Sequence, residues 1–97
     1  MKILHLNLKA EYFNAIKDGT KEFEFRLFND YWNKRLVKRD YDEVHFKLGY
    51  PKNDDNDKII KCKYAGYEIR SIKHTHFCND SYTKVFAIKI KKEVING

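Results

Sequence analysis

Residues 10–28 read AEYFNAIKDGTKEFEFRLF, and their hydrophobic period changes partway along. In the first half, apolar residues recur every three or four positions, which predicts an α-helix over 10–18 that ends before Gly19. From position 21 apolar and charged residues alternate, which predicts a strand over 21–28. This alternation puts Phe23, Phe25 and Leu27 on one face and Glu22, Glu24 and Arg26 on the other.

The same reasoning extends in both directions along the chain. Asn29 and Asp30 are suited to cap a helix over 30–38. Apolar alternation predicts further strands at 2–8, 43–48, 59–69 and 83–94. The strand over 59–69 could break or bulge at Ala65–Gly66. We therefore expect a single α+β domain over residues 1–97, in which strands outnumber helices.

Composition narrows the class of protein and its partners. The chain has 97 residues, 42% hydrophobic and 15% aromatic, which is too aromatic for a disordered segment. Its 20 basic and 14 acidic residues give a net charge of +6, which favours polyanionic partners such as nucleic acid. No apolar run approaches the about 20 residues of a membrane-spanning helix, so no membrane partner is expected. Two cysteines make no disulfide framework, which favours a reduced, cytoplasmic setting.

Several kinds of site are not expected. The four glycines lie too far apart for a phosphate-binding loop, and no G-x-S-x-G motif marks a serine hydrolase. His74, His76 and Cys78 recur at a spacing of two, and Cys62 could join them. No paired C-x-x-C supports a zinc site, so neither a metal nor a cofactor is predicted.

The segment GTKEFEFR, residues 19–26, brings a lysine, a carboxylate and a guanidinium within six positions. Glu24 and Arg26 share one face of the predicted strand, and Lys21 precedes them where the chain still turns. We expect the three to form one polar cluster that recognises a base edge or a phosphate. The alternative is an ordinary surface ion pair.

The segment YWNKRLVKR, residues 31–39, is basic and aromatic. Trp32 and Leu36 are four positions apart and are expected to face the core. Lys34 with Lys38, and Arg35 with Arg39, place like charges at i and i+4, and bound phosphate would relieve that repulsion. The alternative is that these cations simply complement the carbonyl end of the helix.

These two segments together resemble the ASCH domain family. Gly19, Lys21, Glu24 and Arg26 match a signature close to G-x-K-x-x-E-x-R. The run from Tyr31 to Tyr50 resembles a subgroup of short bacterial and phage proteins. The resemblance covers about residues 2–92.

The resemblance implies a PUA-like fold, a small and mostly antiparallel β-barrel with one or two flanking helices. It also implies an RNA-facing cleft with Lys21, Glu24 and Arg26 at its mouth. Some family members hydrolyse N4-acylated cytidine with a lysine, a threonine and a glutamate. Lys21 matches that lysine, whereas Glu24 stands in the place of the threonine, where a carboxylate is a poor acyl acceptor. Other members are reported to cleave RNA, for which Lys21 and Glu24 are the candidate acid and base. No histidine pair of the kind common in such enzymes is evident in the sequence, although His5 and His45 could lie in neighbouring strands.

Three functions remain open from the sequence. The first is an RNA-binding module that holds RNA or a modified nucleoside in a basic cleft. The second is an enzyme acting on RNA or on N4-acylated cytidine. The third is a protein-interaction module, such as a phage-encoded inhibitor of a nucleic-acid enzyme. The expected nucleic-acid-binding residues are Lys21, Glu24, Arg26, Tyr31, Lys34, Arg35, Lys38 and Arg39.

Overall fold

The computed structural model of the protein describes residues 1–52, 54–73 and 82–91. In chain order the elements are β1 (Ile3–Leu8), α1 (Ala10–Lys17), β2 (Phe23–Leu27), α2 (Asp30–Leu36), β3 (Glu43–Leu48), a 3-10 turn (Asn56–Lys58), β4 (Ile59–Lys63), β5 (Tyr67–Lys73) and β6 (Tyr82–Lys89). The strands form two three-stranded sheets, and their pairing is mostly antiparallel. The fold is therefore α+β, as predicted.

The chain divides into two compact units. The first unit consists of Met1–Glu22 and Tyr41–Ala65, together with residues 90–91. The second consists of Phe23–Asp40 and, among the described residues, 66–73 and 82–89. Each unit therefore contains one of the two sheets and one of the two α-helices found among the described residues.

The first unit contains the sheet β1–β3–β4, with β3 at its centre. β3 pairs antiparallel with β4 and parallel with β1. A parallel pair needs a long connection between its strands, and α1 lies in this connection and packs against β3. Alternation gives the sheet one apolar face, and the buried apolar residues of β1, β3 and α1 include Leu4, Leu6, Val44, Phe46, Phe13 and Ile16.

The end of α1 depends on Gly19, as the sequence predicts. Gly19 has φ +79°, a left-handed conformation, and its N–H donates to the Ile16 carbonyl at 3.1 Å. The next residue, Thr20, donates its N–H to the Ala15 carbonyl at 3.0 Å, which completes the Schellman arrangement. The Lys21 N–H also reaches the Ala15 carbonyl, at 3.2 Å. These bonds hold the backbone to the helix end, so β2 begins at Phe23 rather than at position 21.

Replacing Gly19 by alanine tests this helix end. A Cβ atom at Gly19 would meet nothing within 4 Å, so the cost comes from the positive φ alone. We expect Gly19→Ala to lower the free energy of unfolding by about 1 kcal/mol in urea titrations. Gly19→Asn should lose less, because asparagine tolerates the left-handed conformation. Equal losses for the two variants would contradict this explanation.

The second unit contains the sheet β2–β6–β5, which is antiparallel throughout. The sequence pattern predicts that Phe86 and Ile88 face inward, and both are buried. Val85 and Ala87 are buried as well, so the four consecutive residues 85–88 are all covered. Successive residues of a strand point to opposite faces, so β6, the central strand, is covered on both faces here.

The faces of β2 follow the predicted alternation, but the charged face is the more buried one. Glu24 retains only 5% of its accessible surface, whereas Leu27 retains 39%. Phe23 and Phe25 are half-buried and stack on each other, with ring centroids 6.4 Å apart. From hydropathy alone, the face with Phe23, Phe25 and Leu27 would be expected to be the buried one. The covered face of this strand is therefore a polar one.

The helix α2 begins as predicted and ends earlier than predicted. The Asn29 side chain accepts the Trp32 N–H at 3.0 Å, which confirms the N-cap. The helix ends at Leu36 rather than at position 38, because Val37 adopts an extended backbone. The next residue, Lys38, has φ +58°. Lys38 and Arg39 therefore lie beyond the end of α2. The like-charged residues predicted at i and i+4 consequently do not share one face of this helix.

The remaining differences concern strand limits. The predicted strand over 59–69 is two strands, β4 and β5, separated at residues 64–66, and Gly66 there has φ +84°. Within the described part of the chain, β6 ends at Lys89, and residues 92–94 of the predicted last strand lie outside that part. The described strands pair into two separate sheets, and no closed barrel is found among them. The same residues include no helix of the length and apolarity needed to cross a membrane.

Candidate functional site

The second unit contains a cluster in which two arginines flank two aromatic rings that touch each other. We call it the arginine–aromatic cluster, and its members are Glu24, Arg26, Tyr31, Trp32 and Arg35. β2 supplies the first two residues, and α2 supplies the other three.

Glu24 and Arg26 form the base of this cluster. They lie two positions apart on β2, so both side chains project from the same face, as the sequence predicts. Arg26 Nη2 donates to Glu24 Oε2 at 2.8 Å, and both side chains are largely buried. A buried carboxylate is costly unless a cation and hydrogen bonds compensate its charge, and Arg26 provides both.

Trp32 connects this ion pair to the surface. The Arg26 guanidinium lies over the Trp32 ring, 4.9 Å from its centroid. The Trp32 ring in turn meets Tyr31 edge-on, with centroids 5.0 Å apart. The Arg35 guanidinium lies over Tyr31 at 3.5 Å from the ring centroid, and its Nη1 donates to the Tyr31 carbonyl at 2.9 Å. The cluster is thus a continuous series of guanidinium and aromatic contacts.

The outer end of the cluster is open to solvent. Tyr31 keeps 54% of its accessible surface, and Arg35 is exposed. Arg35 nevertheless has two contacts, since it stacks on the Tyr31 ring and donates a hydrogen bond to the helix backbone. A flat, exposed guanidinium–phenol pair offers stacking surface to a planar ligand and N–H donors to an anion. This chemistry suits an unpaired nucleobase and its phosphate.

The other predicted basic residues extend this surface. Lys34, Lys38 and Arg39 are all exposed. Arg39 Nε donates to the Lys34 carbonyl at 3.1 Å, so it helps to complete the last turn of α2. Lys38 adopts a left-handed conformation that glycine or asparagine accepts more readily. Together with Arg35, these three residues place four cations within the six residues 34–39.

Lys21 belongs to the first unit, whereas Glu24 and Arg26 belong to the second. The Lys21 ammonium lies 5.0 Å from the centroid of the Tyr12 ring. The meeting of Lys21 with the other two residues in one cleft stays a prediction. Tyr12, which the sequence analysis did not single out, could have been noted as the aromatic residue nine positions before this lysine.

Lys21 also lines a cavity of about 150 Å³ at the end of α1. Its lining residues, all within the first unit, are Ile16, Lys17, Asp18, Gly19, Lys21, Cys62, Ile90 and Lys91. This volume is below the about 300–1,000 Å³ of ordinary small-molecule sites. Burial raises the pKa of the Cys62 thiol, so this group stays neutral and acts as packing rather than as a nucleophile.

Trp32 is the residue of this cluster whose role sequence reasoning missed. Its spacing to Leu36 predicts a core position, and Leu36 is indeed buried while Trp32 is only half-buried. Among the described residues, no group of three or more metal-ligating side chains comes together. The predicted His74, His76 and Cys78 set lies outside that part of the chain.

Comparisons of the chain with protein-family models, with curated proteins and with solved structures found no match.

Two glutamate–arginine pairs of the second unit allow a matched test of the buried one. Glu68 and Arg70 on β5 have the same spacing and the same 2.8 Å contact, but both are more than 40% exposed. We expect Glu24→Ala to lower the free energy of unfolding by about 3–5 kcal/mol, because it removes one partner of a buried pair. Glu68→Ala should cost less than about 1 kcal/mol. Equal losses in urea titrations would show that burial of the Glu24 pair has no structural importance.

Proposed function

We propose that the protein binds RNA through the arginine–aromatic cluster and the cations that follow it, with unpaired bases stacking on the exposed pair Tyr31 and Arg35. The observation that carries this proposal is the contact between these two side chains. The Arg35 guanidinium lies 3.5 Å from the centroid of the half-exposed Tyr31 ring, so the two form a flat, charged stacking surface. Supporting it are the net charge of +6 and the four cations within residues 34–39.

The chemistry of the cluster favours unpaired over paired RNA. Bases in a duplex are already stacked, whereas a single strand can turn a base out onto an aromatic or guanidinium plane. Each such stack contributes about 1–3 kcal/mol and tolerates any base. The ion pair with Glu24 positions the Arg26 guanidinium, and this guanidinium packs against the Trp32 ring next to the stacking surface.

The cations supply the sequence-independent part of the affinity. Lys34, Lys38 and Arg39 are exposed on the C-terminal side of Tyr31, where phosphates flanking a stacked base would lie. Neutralising RNA phosphates releases counterions, so this part of the affinity falls steeply with salt. In this proposal the fold is an ASCH-like, PUA-like domain, and its RNA-binding surface includes the basic segment after β2 together with Glu24 and Arg26.

Removing the Tyr31 ring tests the stacking role. We expect Tyr31→Ala to weaken binding of a short unpaired RNA by about 5- to 150-fold in fluorescence anisotropy, which corresponds to the loss of about 1–3 kcal/mol. Tyr31→Phe should restore most of the affinity, because the ring is what stacks. Tyr50→Ala is the matched control, since Tyr50 is 93% exposed on the loop after β3. Unchanged RNA affinity in folded Tyr31→Ala would refute the stacking role.

A salt titration tests the cations. Lys34→Gln and Lys38→Gln should each weaken binding of all RNA sequences about equally. Each should also flatten the slope of log affinity against log salt by about 0.7, the value for one phosphate of a single strand. Lys52→Gln, an exposed lysine outside the segment, should leave the slope unchanged. A double Arg35 and Arg39 substitution without effect on binding would return these residues to a purely structural role and favour a protein partner instead.

A further inference from the structure

The polar face of the first-unit sheet brings two histidines together. His5 on β1 and His45 on β3 are direct partners in the parallel register, so both project from the same face. Their rings meet edge to face, with centroids 5.5 Å apart. The sequence raised this pair only as residues of neighbouring strands, and RNA binding by the second unit makes no use of it.

A carboxylate orients one of the two imidazoles. His45 Nε2 lies 2.8 Å from Glu43 Oε1, with 10% of the His45 side chain and 17% of the Glu43 side chain exposed. When His45 is protonated, its Nε2–H donates to this carboxylate and its Nδ1–H remains as a second acidic proton. A carboxylate in this position fixes the orientation of the imidazole ring. His45 is therefore equipped to act as a general acid.

The environment of the other imidazole favours its neutral form. Partial burial lowers the pKa of His5 below 6.5, and the charges of Lys47 and His45 lower it further. A neutral imidazole accepts a proton, so near pH 7 His5 is equipped to act as a general base.

Cations surround the pair on the same face of the sheet. Lys61 on β4 is the register partner of His45, and Lys47 follows His45 by two positions on β3. Lys63 pairs with Glu43 in the next row. With Glu43 as the facing carboxylate, these groups leave the face cationic, which suits the negative charge of a phosphodiester.

We propose that His5 and His45 form a general acid–base pair that cleaves RNA by transfer of the phosphodiester to its own 2′-hydroxyl. His5 takes the proton of the 2′-hydroxyl, and the 2′-oxygen forms a bond to phosphorus. The bond from phosphorus to the 5′-oxygen breaks, and His45 gives its Nδ1 proton to that oxygen. The products are a 2′,3′-cyclic phosphate and a 5′-hydroxyl end, and no oxidant, metal or water is consumed. Lys47 and Lys61 stabilise the charge that develops on the phosphate oxygens.

The choice of RNA as the substrate class rests on the proposed function. An assay with a dinucleotide separates the claim that the protein cleaves RNA from the claim that it binds RNA through the second unit. UpA carries one phosphodiester and needs none of the extended contacts along residues 34–39. We expect the wild-type protein to convert UpA to cyclic uridine phosphate and adenosine, and to leave the analogue with 2′-deoxyuridine intact. His5→Gln and His45→Gln should each lower turnover by about 10²- to 10⁴-fold, and Glu43→Gln should lower it less.

The pH profile provides a second readout. Turnover should fall as pH drops through the lowered pKa of His5, because protonation removes the base. His74→Gln, purified in the same way, is the histidine control and should retain wild-type turnover. Circular dichroism checks that each variant is folded.

Either of two results would overturn the acid–base pair: folded His5→Gln with wild-type turnover, or equal cleavage of the deoxy analogue. Absence of UpA cleavage by a wild-type protein that binds RNA would also overturn it and leave the proposed function standing. Cleavage that depends on His5, together with RNA affinity unaffected by Tyr31→Ala, would support the pair and refute the proposed function.

Discussion

The Arg26 guanidinium is held between the Glu24 carboxylate and the Trp32 indole, and the surface of the second unit depends on this arrangement. A carboxylate as buried as Glu24 needs a cation beside it, which fixes one end of Arg26. The guanidinium then provides a flat cationic support for the indole. Trp32 in turn contacts Tyr31, which faces solvent together with Arg35. The stability of the unit and the RNA binding that we propose for it are thus linked through one side chain.

Much of the fold could be predicted from the sequence, since it depends on local chemistry. The left-handed Gly19, the Asn29 cap and the alternation along β2 all reflect preferences that act within a few residues. The parts that could not be predicted are set by long-range packing. Nothing local shows that the charged face of β2 is the covered one, or that β6 is buried on both faces. Likewise, α2 stops at Leu36 because the backbone turns there, although the charge pattern continues to Arg39.

In the candidate site, too, local sequence predicted some features, whereas long-range packing determined the others. Strand parity predicted that Glu24 and Arg26 share a face, and the basic segment identified Tyr31 and Arg35. Trp32 was missed because a tryptophan at helical spacing from a buried leucine resembles a core residue, and only the contact with Arg26 shows its role. The histidine pair of the first unit required the parallel register of β1 with β3, a pairing that no single segment of sequence specifies. The two units therefore present different chemistry, stacking surfaces in one and titrating groups in the other.

The central claim is that RNA meets the guanidinium–phenol pair of α2, and NMR on the labelled protein tests it most directly. Addition of a short unpaired RNA should shift the ring signals of Tyr31, the indole N–H of Trp32 and the side-chain Nε–H of Arg35 more than those of Tyr50 or Arg70, at an RNA concentration that matches the binding curve. The indole signal should move because Trp32 touches the Tyr31 ring. Saturated RNA binding with these three signals unmoved, or with shifts no larger than those of Tyr50 and Arg70, would contradict the account.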